Sequence, residues 1–461
     1  MSLFVRDKSF YKKTAAIAIP ISLQGLISIG VNMADNIMVG SLGENALSGT
    51  ALANQFTGIF HIGCMGISMG ASVLTARFWG MKDKQSLKKT VTIMLRICVL
   101  FAAIFMAATL IAPGSIMRMY SKELEVIEQG ILYLKWMVPC YILLGLSLTL
   151  TIVLRSVGQV RIPLYSSLGA LFINIFLNYM LIYGHFGAPK MGVEGAALAT
   201  MLGRAFEFLF IGGYFFFIDK KIQYRIKDLT MSCRSLIFNY ISISIPVFVS
   251  DMLLAFGNSA VAMVMGRIGK DFVSANSITV VTQQLSTVLI QGICHAGCII
   301  TGHTLGEGDK EKAQRQAVTF FMLGIVIGAI AGGIILSINE FVINLYNITD
   351  ETKEMARQLM RAIAFIVVFQ STNSIMTKGV LRGGGDTKFL MVADILYLWI
   401  LSIPLGYIAG LVWHLPAFWI YICLKIDQVV KAVWCLFRLR SRKWIKAISA
   451  RENALEAETE V

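Results

Sequence analysis

Charge is scarce in this sequence. Only 15% of its 461 residues are Asp, Glu, Lys or Arg, where a soluble chain carries about a quarter. With 56% hydrophobic residues the chain cannot cover its apolar surface with polar groups, so a membrane protein is expected. The same hydrophobicity excludes disorder, and the absence of glycine at every third position excludes collagen. The N-terminal stretch MSLFVRDKSFYKKT lacks a short apolar run followed by a small-residue cleavage site, so no removable signal peptide is expected. There is no GxxxxGK[ST] phosphate loop and no HExxH pair, which leaves direct ATP drive and metal hydrolysis without support. No acid/base or metal set assembles along the spans, so the chain is not expected to be an enzyme. Nor is there a selectivity filter or a folded soluble domain, as a channel or receptor would need.

Cysteine also gives no framework. Cys64, Cys98, Cys140, Cys294, Cys298, Cys423 and Cys435 lie in apolar runs and Cys233 lies in a basic loop; none falls in an outer loop, so free thiols are expected. Cys294 and Cys298, with His295 and His303 nearby, offer metal-ligand atoms, but in an apolar span thiols four apart read as packing residues. No metal is expected.

What is present is length of apolar run. A spanning helix needs about 20 apolar residues. That rule gives twelve runs, near 14–40, 51–79, 91–112, 126–154, 161–186, 193–218, 236–266, 274–304, 317–346, 357–381, 387–411 and 415–437. An even number puts both termini on one side. The net charge of +14 sorts by side: the loops on the side of the termini hold most of the Lys and Arg, whereas the opposite loops hold Arg118, Lys122, Lys190, Arg267, Lys270 and Lys353. Both termini are therefore expected in the cytoplasm, and topology accounts for the basic excess without nucleic acid.

The chain repeats itself. Pro20, Gly40, Gly43, Gly66, Thr75, Gly80, Asp83 and Lys84 recur 226 residues on as Pro246, Gly266, Gly269, Gly292, Thr301, Gly306, Asp309 and Lys310. Val153-Leu154-Arg155 recurs as Val380-Leu381-Arg382, and Gly158 as Gly385, at an offset of 227. Two halves of six spans each enter the membrane in the same orientation, related by an axis along the membrane normal, an arrangement of transporters. The expected organisation is an all-α membrane protein with an N-terminal lobe over 1–218, a cytoplasmic linker over 219–235, a C-terminal lobe over 236–440 and a cytoplasmic tail over 441–461.

Leu381-Arg382-Gly383-Gly384-Gly385-Asp386-Thr387-Lys388 reads as a tight turn at an inner helix end, its glycines allowing positive φ. Pro20, Gln24 and the run Asn32-Met33-Ala34-Asp35-Asn36-Ile37-Met38-Val39-Gly40-Ser41-Leu42-Gly43, followed by Ala46-Leu47-Ser48-Gly49, resemble the first helix and loop of the multidrug and toxic compound extrusion (MATE) family. LRGGGDTKF resembles that family's turn between helices 10 and 11, and LRSVGQVRIP its counterpart between helices 4 and 5. The resemblance covers the whole chain. It implies a cofactor-free transporter of a bacterial or archaeal plasma membrane, acting as a monomer, that exports amphipathic, often cationic compounds in exchange for H⁺ or Na⁺ by rocking of its two lobes.

The resemblance also implies a site. An aspartate, an asparagine, a second acid or amide, an alanine and a threonine form the family's cation and proton site in the N-terminal lobe; here the matching residues are Asp35, Asn174, Asn178, Ala196 and Thr200. Asn178 stands where some members carry a carboxylate, which lowers the charge of the site and leaves H⁺ and Na⁺ both open. Independently of any family, a carboxylate in mid-span costs about 2.5–3.5 kcal/mol, so Asp35 needs a compensating proton, cation or donor. Asn174 and Asn178, four apart, share one helix face. Candidates for the substrate cavity are Gln24, Tyr179, Asp251 and Asp394, with Asp251 either a cation contact or structurally bonded and Asp394 a partner for Lys378. Arg204 and Glu207 are expected to pair. Within the superfamily the rival reading is a flippase for lipid-linked or polysaccharide precursors, which would favour arginines in the central cavity.

Overall fold

The computed structural model describes residues 4–344 and 348–447, so most of the expected 441–461 tail lies outside the described residues. Those described form helices and connecting turns, with no strand. Eleven of the twelve apolar runs are single long helices: α1 Lys8–Gly40, α2 Glu44–Gly80, α3 Lys84–Ile111, α4 Leu124–Ser156, α5 Arg161–Tyr183, α6 Val193–Ile218, α7 Arg234–Ile268, α8 Lys270–Gly306, α9 Lys310–Asn344, α10 Asp350–Leu381 and α11 Thr387–Leu411. The twelfth is broken. Ala417–Leu424 and Ile426–Arg440 meet at Lys425 and together make α12.

Burial follows the repeat. The apolar windows of α2, α4, α8 and α10 are 61–78% buried, against 28–39% for the other long helices. The interior helices of one half thus match those of the other, and the outer ones present residues such as Phe172, Leu209, Phe238 and Phe341 outward, as lipid-facing helices do.

The chain forms two compact units: Leu23–Thr75 with Asp83–Ser244, and Met1–Ser22 with Ala76–Lys82 and Ile245–Val461. Three helices therefore change unit, α1 after Ser22, α2 after Thr75 and α7 after Ser244. In lipid no hydrophobic force drives helices together, so close packing over small residues has to do so. In the first unit the core is aromatic: Phe60 of α2 lies against Phe101 and Phe105 of α3 and Tyr141 of α4 at ring separations of 5.1–5.5 Å. There, a Cβ on Gly70 of α2 would sit 2.5 Å from Ser244 Cα of α7. In the second unit, a Cβ on Gly292 of α8 would sit 2.3 Å from the Ala18 carbonyl oxygen of α1. Also in that unit the ends of α2 and α8 cross over repeat-related residues: Gly302 abuts Ala76, and Gly306 abuts Gly80 and the Arg77 backbone.

The linker is docked rather than loose. Asp219 is buried and accepts the backbone N–H groups of Lys221, Ile222 and Gln223 and the Gln159 amide, while Lys88 of α3 bonds Asp228 at 2.9 Å. Burial pushes the Asp228 carboxyl up, but Lys88 and the Arg225 N–H outweigh it and hold it below the usual carboxylate range.

The turn between α2 and α3 departs from its repeat in one respect. Lys82 has φ 59° where the equivalent Gly308 has φ 87°. A left-handed conformation costs an L-residue about 1–2 kcal/mol, so Lys82→Gly is expected to stabilise the protein by about 1 kcal/mol, read as a higher thermal midpoint in detergent. A lower midpoint would show that the Lys82 side chain contributes more than its backbone costs.

Candidate functional site

In the Leu23–Ser244 unit, α1 and α5 bring their mid-span polar residues together. Asn178 Nδ2 of α5 donates to Asp35 Oδ1 of α1 at 2.5 Å and lies 3.3 Å from Asn174 Oδ1. One helical turn separates the two amides, so both face α1. Asn178 uses its nitrogen, while its Oδ1 is buried with no partner among the described residues. Among the described residues Asp35 forms no ion pair, its bonded partner being a neutral amide. Thr200 of α6 donates to the Ala196 carbonyl at 3.0 Å, which ties the last two residues of the expected set to each other rather than to Asp35. Arg204 and Glu207, one turn further along α6, pair at 2.8 Å as expected. Tyr133 of α4 is buried with its hydroxyl facing Thr200; nothing in the sequence singled it out.

A carboxylate with no ion pair among the described residues, beside an orphaned amide oxygen, can do two things. It can take a proton, or the oxygens of Asp35 and Asn178 can hold a hard monovalent cation, for which carboxylate and carbonyl oxygens are the natural ligands. The donor set fits either ion.

Two of the cavity candidates have partners in the same unit. Gln24 is buried, donating to Ser167 Oγ at 2.7 Å and accepting from Arg155. Tyr179 is half-exposed near the end of α5 and stacks on His185 at 4.3 Å.

The other unit contains a denser polar cluster. Arg382 grips Asp251 with both nitrogens at 2.9 and 3.3 Å. This bond repeats the one between Arg155 and Gln24, with a carboxylate in place of the amide and one residue of slip. Asp394 does not pair with Lys378: Lys431 of α12 reaches it at 2.8 Å and also reaches Asp427 at 3.3 Å, while Ser250 donates to the same carboxylate. Lys431 is buried four residues after Asp427, a spacing visible in the sequence whose target on α11 was not. The backbone follows π-helical turns at Ile375–Leu381 and Ile395–Ser402, wider than α, which marks functional positions in many helices. Between these turns and α12 lies a cavity of about 160 Å³ lined by Lys378, Arg382, Asp394, Lys425 and Lys431 among others.

Long apolar helices in two repeat-related sets, with bonded acids, bases and amides inside the spans, define a multi-pass membrane transporter. The MatE family model matches residues 20–180 and 246–408, one match in each half, and the chain belongs to that family. Among curated proteins it is 25% identical over 450 residues to a probable multidrug resistance protein NorM of Thermotoga maritima, covering 96% of both chains. It is 24% identical to the multidrug resistance protein PmpM of Pseudomonas aeruginosa over 417 residues, 89% of this chain and 86% of that one. Among solved structures, an outward-facing multidrug resistance MATE transporter superposes with a TM-score of 0.83 at 21% identity, over 94% of this chain and 96% of that one. A MOP superfamily transporter from Pyrococcus furiosus gives 0.82 at 21% identity over the same shares. The fold is therefore the twelve-helix, two-lobe fold of this family.

Proposed function

We propose that this protein is a cation-coupled antiporter that exports amphipathic, mainly cationic organic compounds, with H⁺ or Na⁺ entering through Asp35. The observation that carries the reading is the Asp35 carboxylate, bonded to the neutral Asn178 amide beside an unpartnered Asn178 oxygen. A proton or cation that joins such a group stabilises it, so its occupancy senses the ion gradient. The names of the curated relatives, multidrug resistance proteins over nearly their full length, support the cargo class. Coupling follows if the ion binds one lobe arrangement more tightly than the other; Pro20, inside α1, leaves that helix able to bend when the site loads. The lobes over 1–218 and 236–440 would then alternate the side to which they open.

The test is transport of a small panel of organic cations in proteoliposomes with separately imposed H⁺ and Na⁺ gradients. Uphill movement driven by one of the two gradients is expected; equilibration without accumulation under both would reject coupling. We place the protein in a plasma membrane with both termini cytoplasmic. Single cysteines at Lys190 and Asp350 are expected to react with an impermeant thiol reagent on intact cells, and one at Gln223 is not. Labelling at 223 in sealed cells would reverse the orientation.

A further inference from the structure

The cavity beside α12 has the wrong polarity for a simple cation seat. Four cationic side chains line it: Lys378, Arg382, Lys425 and Lys431. Three carboxylates stand against them, Asp394 and Asp427, both held by Lys431, and Asp251, held by Arg382. That leaves two ammonium groups without an ion pair among the described residues. Lys425 donates to the Asn258 amide oxygen at 3.3 Å and feels the Asp427 charge only at longer range, and Lys378 forms no ion pair or hydrogen bond among those residues. Arg382, 4% exposed, keeps a buried Nε–H with no acceptor among the described residues. The remaining wall is made of amides, with Gln283 bonded to Gln370 at 2.7 Å and Asn373 to Gln428 at 2.8 Å, and these can turn a donor towards an anion.

We propose that this chamber of the C-terminal half binds a carboxylate, clasped by Lys378 and Lys425 and completed by the Arg382 Nε–H. The charge sets the class. Four cations against three acids leave one positive charge on a cavity wall where Lys378 and Lys425 are half-buried; a singly charged carboxylate cancels it, and a doubly charged phosphate would overshoot. The volume sets the size, since about 150 Å³ holds a benzene-sized group. The carboxylate belongs either to a small free acid or to the anionic end of a zwitterionic cargo. No step at Asp35 is involved, so this site stands or falls separately from the coupling reading.

The experiment is calorimetric titration of the full chain in lipid nanodiscs with benzoate and with its neutral counterpart benzamide. Benzoate is expected to bind at least tenfold more tightly. Lys378→Gln and Lys425→Gln should each weaken benzoate by tenfold or more, the usual scale for a charge-assisted hydrogen bond, and Lys378→Arg should retain it. Replacing the exposed Lys13 by Gln should change nothing. A zwitterionic fluoroquinolone that displaces benzoate while its methyl ester does not assigns the chamber to cargo; displacement by neither assigns it to a free acid. Equal binding of benzoate and benzamide, no binding of benzoate, or benzoate affinity unchanged in both glutamine variants would overturn the proposal. If Lys378→Gln fails to fold, the Lys425→Gln and Lys378→Arg titrations decide it.

Discussion

Asp35→Asn is expected to reduce gradient-driven efflux to the level of protein-free vesicles while the variant still expresses and folds. Asparagine matches the carboxylate in shape and keeps an oxygen for Asn178 to bond, so the α1–α5 contact survives. It cannot take up a proton or balance a cation, so the ion loses its grip on the lobe equilibrium. A ligand that no longer distinguishes two states shifts nothing, however concentrated it is. Transport assays on purified protein with matched thermal midpoints check this, and full uphill efflux by the variant would move coupling elsewhere. Asn178→Asp should act in the opposite sense. A second carboxylate beside Asp35 raises the affinity of the site for its cation, and the half-saturating ion concentration should fall by roughly tenfold.

The second large effect is structural. Arg382→Ala would leave Asp251 charged and unpartnered at a site where the pair is largely buried, with side-chain exposures of 5% and 15%. Removing one member of a buried pair costs about 3–5 kcal/mol, enough to lower folded yield and thermal midpoint sharply. The repeat-related Arg155→Ala breaks a bond to the neutral Gln24, whose amide keeps Ser167, so about 1–2 kcal/mol is expected. Combining Arg382→Ala with Asp251→Leu should recover much of the loss. If Arg382→Ala is no worse than Arg155→Ala, the Asp251 charge is compensated by something other than Arg382.

How much of this could be read before the structure depended on range. Spans were legible because twenty apolar residues are a local property, and the duplication because its offset barely slips. The positive φ of Gly158 and Gly385 follows from the turn chemistry of VLRSVGQV and VLRGGGDT. Asn174 and Asn178 were legible as a pair through helical spacing. The break of α12 at Lys425 was hidden, because aliphatic and aromatic residues continue past the kink, interleaved with Asp427, Gln428 and Lys431. Lys431 was missed for a different reason: its partner Asp394 lies 37 residues away, and only the packing of α11 on α12 chooses Lys431 over the nearer Lys378. Tyr133 escaped because a tyrosine in a spanning helix carries no signal until its neighbours are known. Gln24 was singled out by its place in the first-helix motif and Tyr179 by its place beside Asn178; the bonds of Gln24 to Ser167 and Arg155 and the stacking of Tyr179 on His185 are what sequence could not supply.

The central claim is that the ion passes through the Asp35 site in exchange for cargo. Its most direct measurement is ion counterflow in drug-loaded proteoliposomes, with internal pH followed by a trapped dye and Na⁺ by radioisotope. The wild-type protein should move one of these ions against the outgoing drug, and Asp35→Asn should move none while drug and ion gradients are identical. Drug leaving the wild-type vesicles without either ion moving, or ion counterflow persisting in the Asp35→Asn vesicles, would contradict the account.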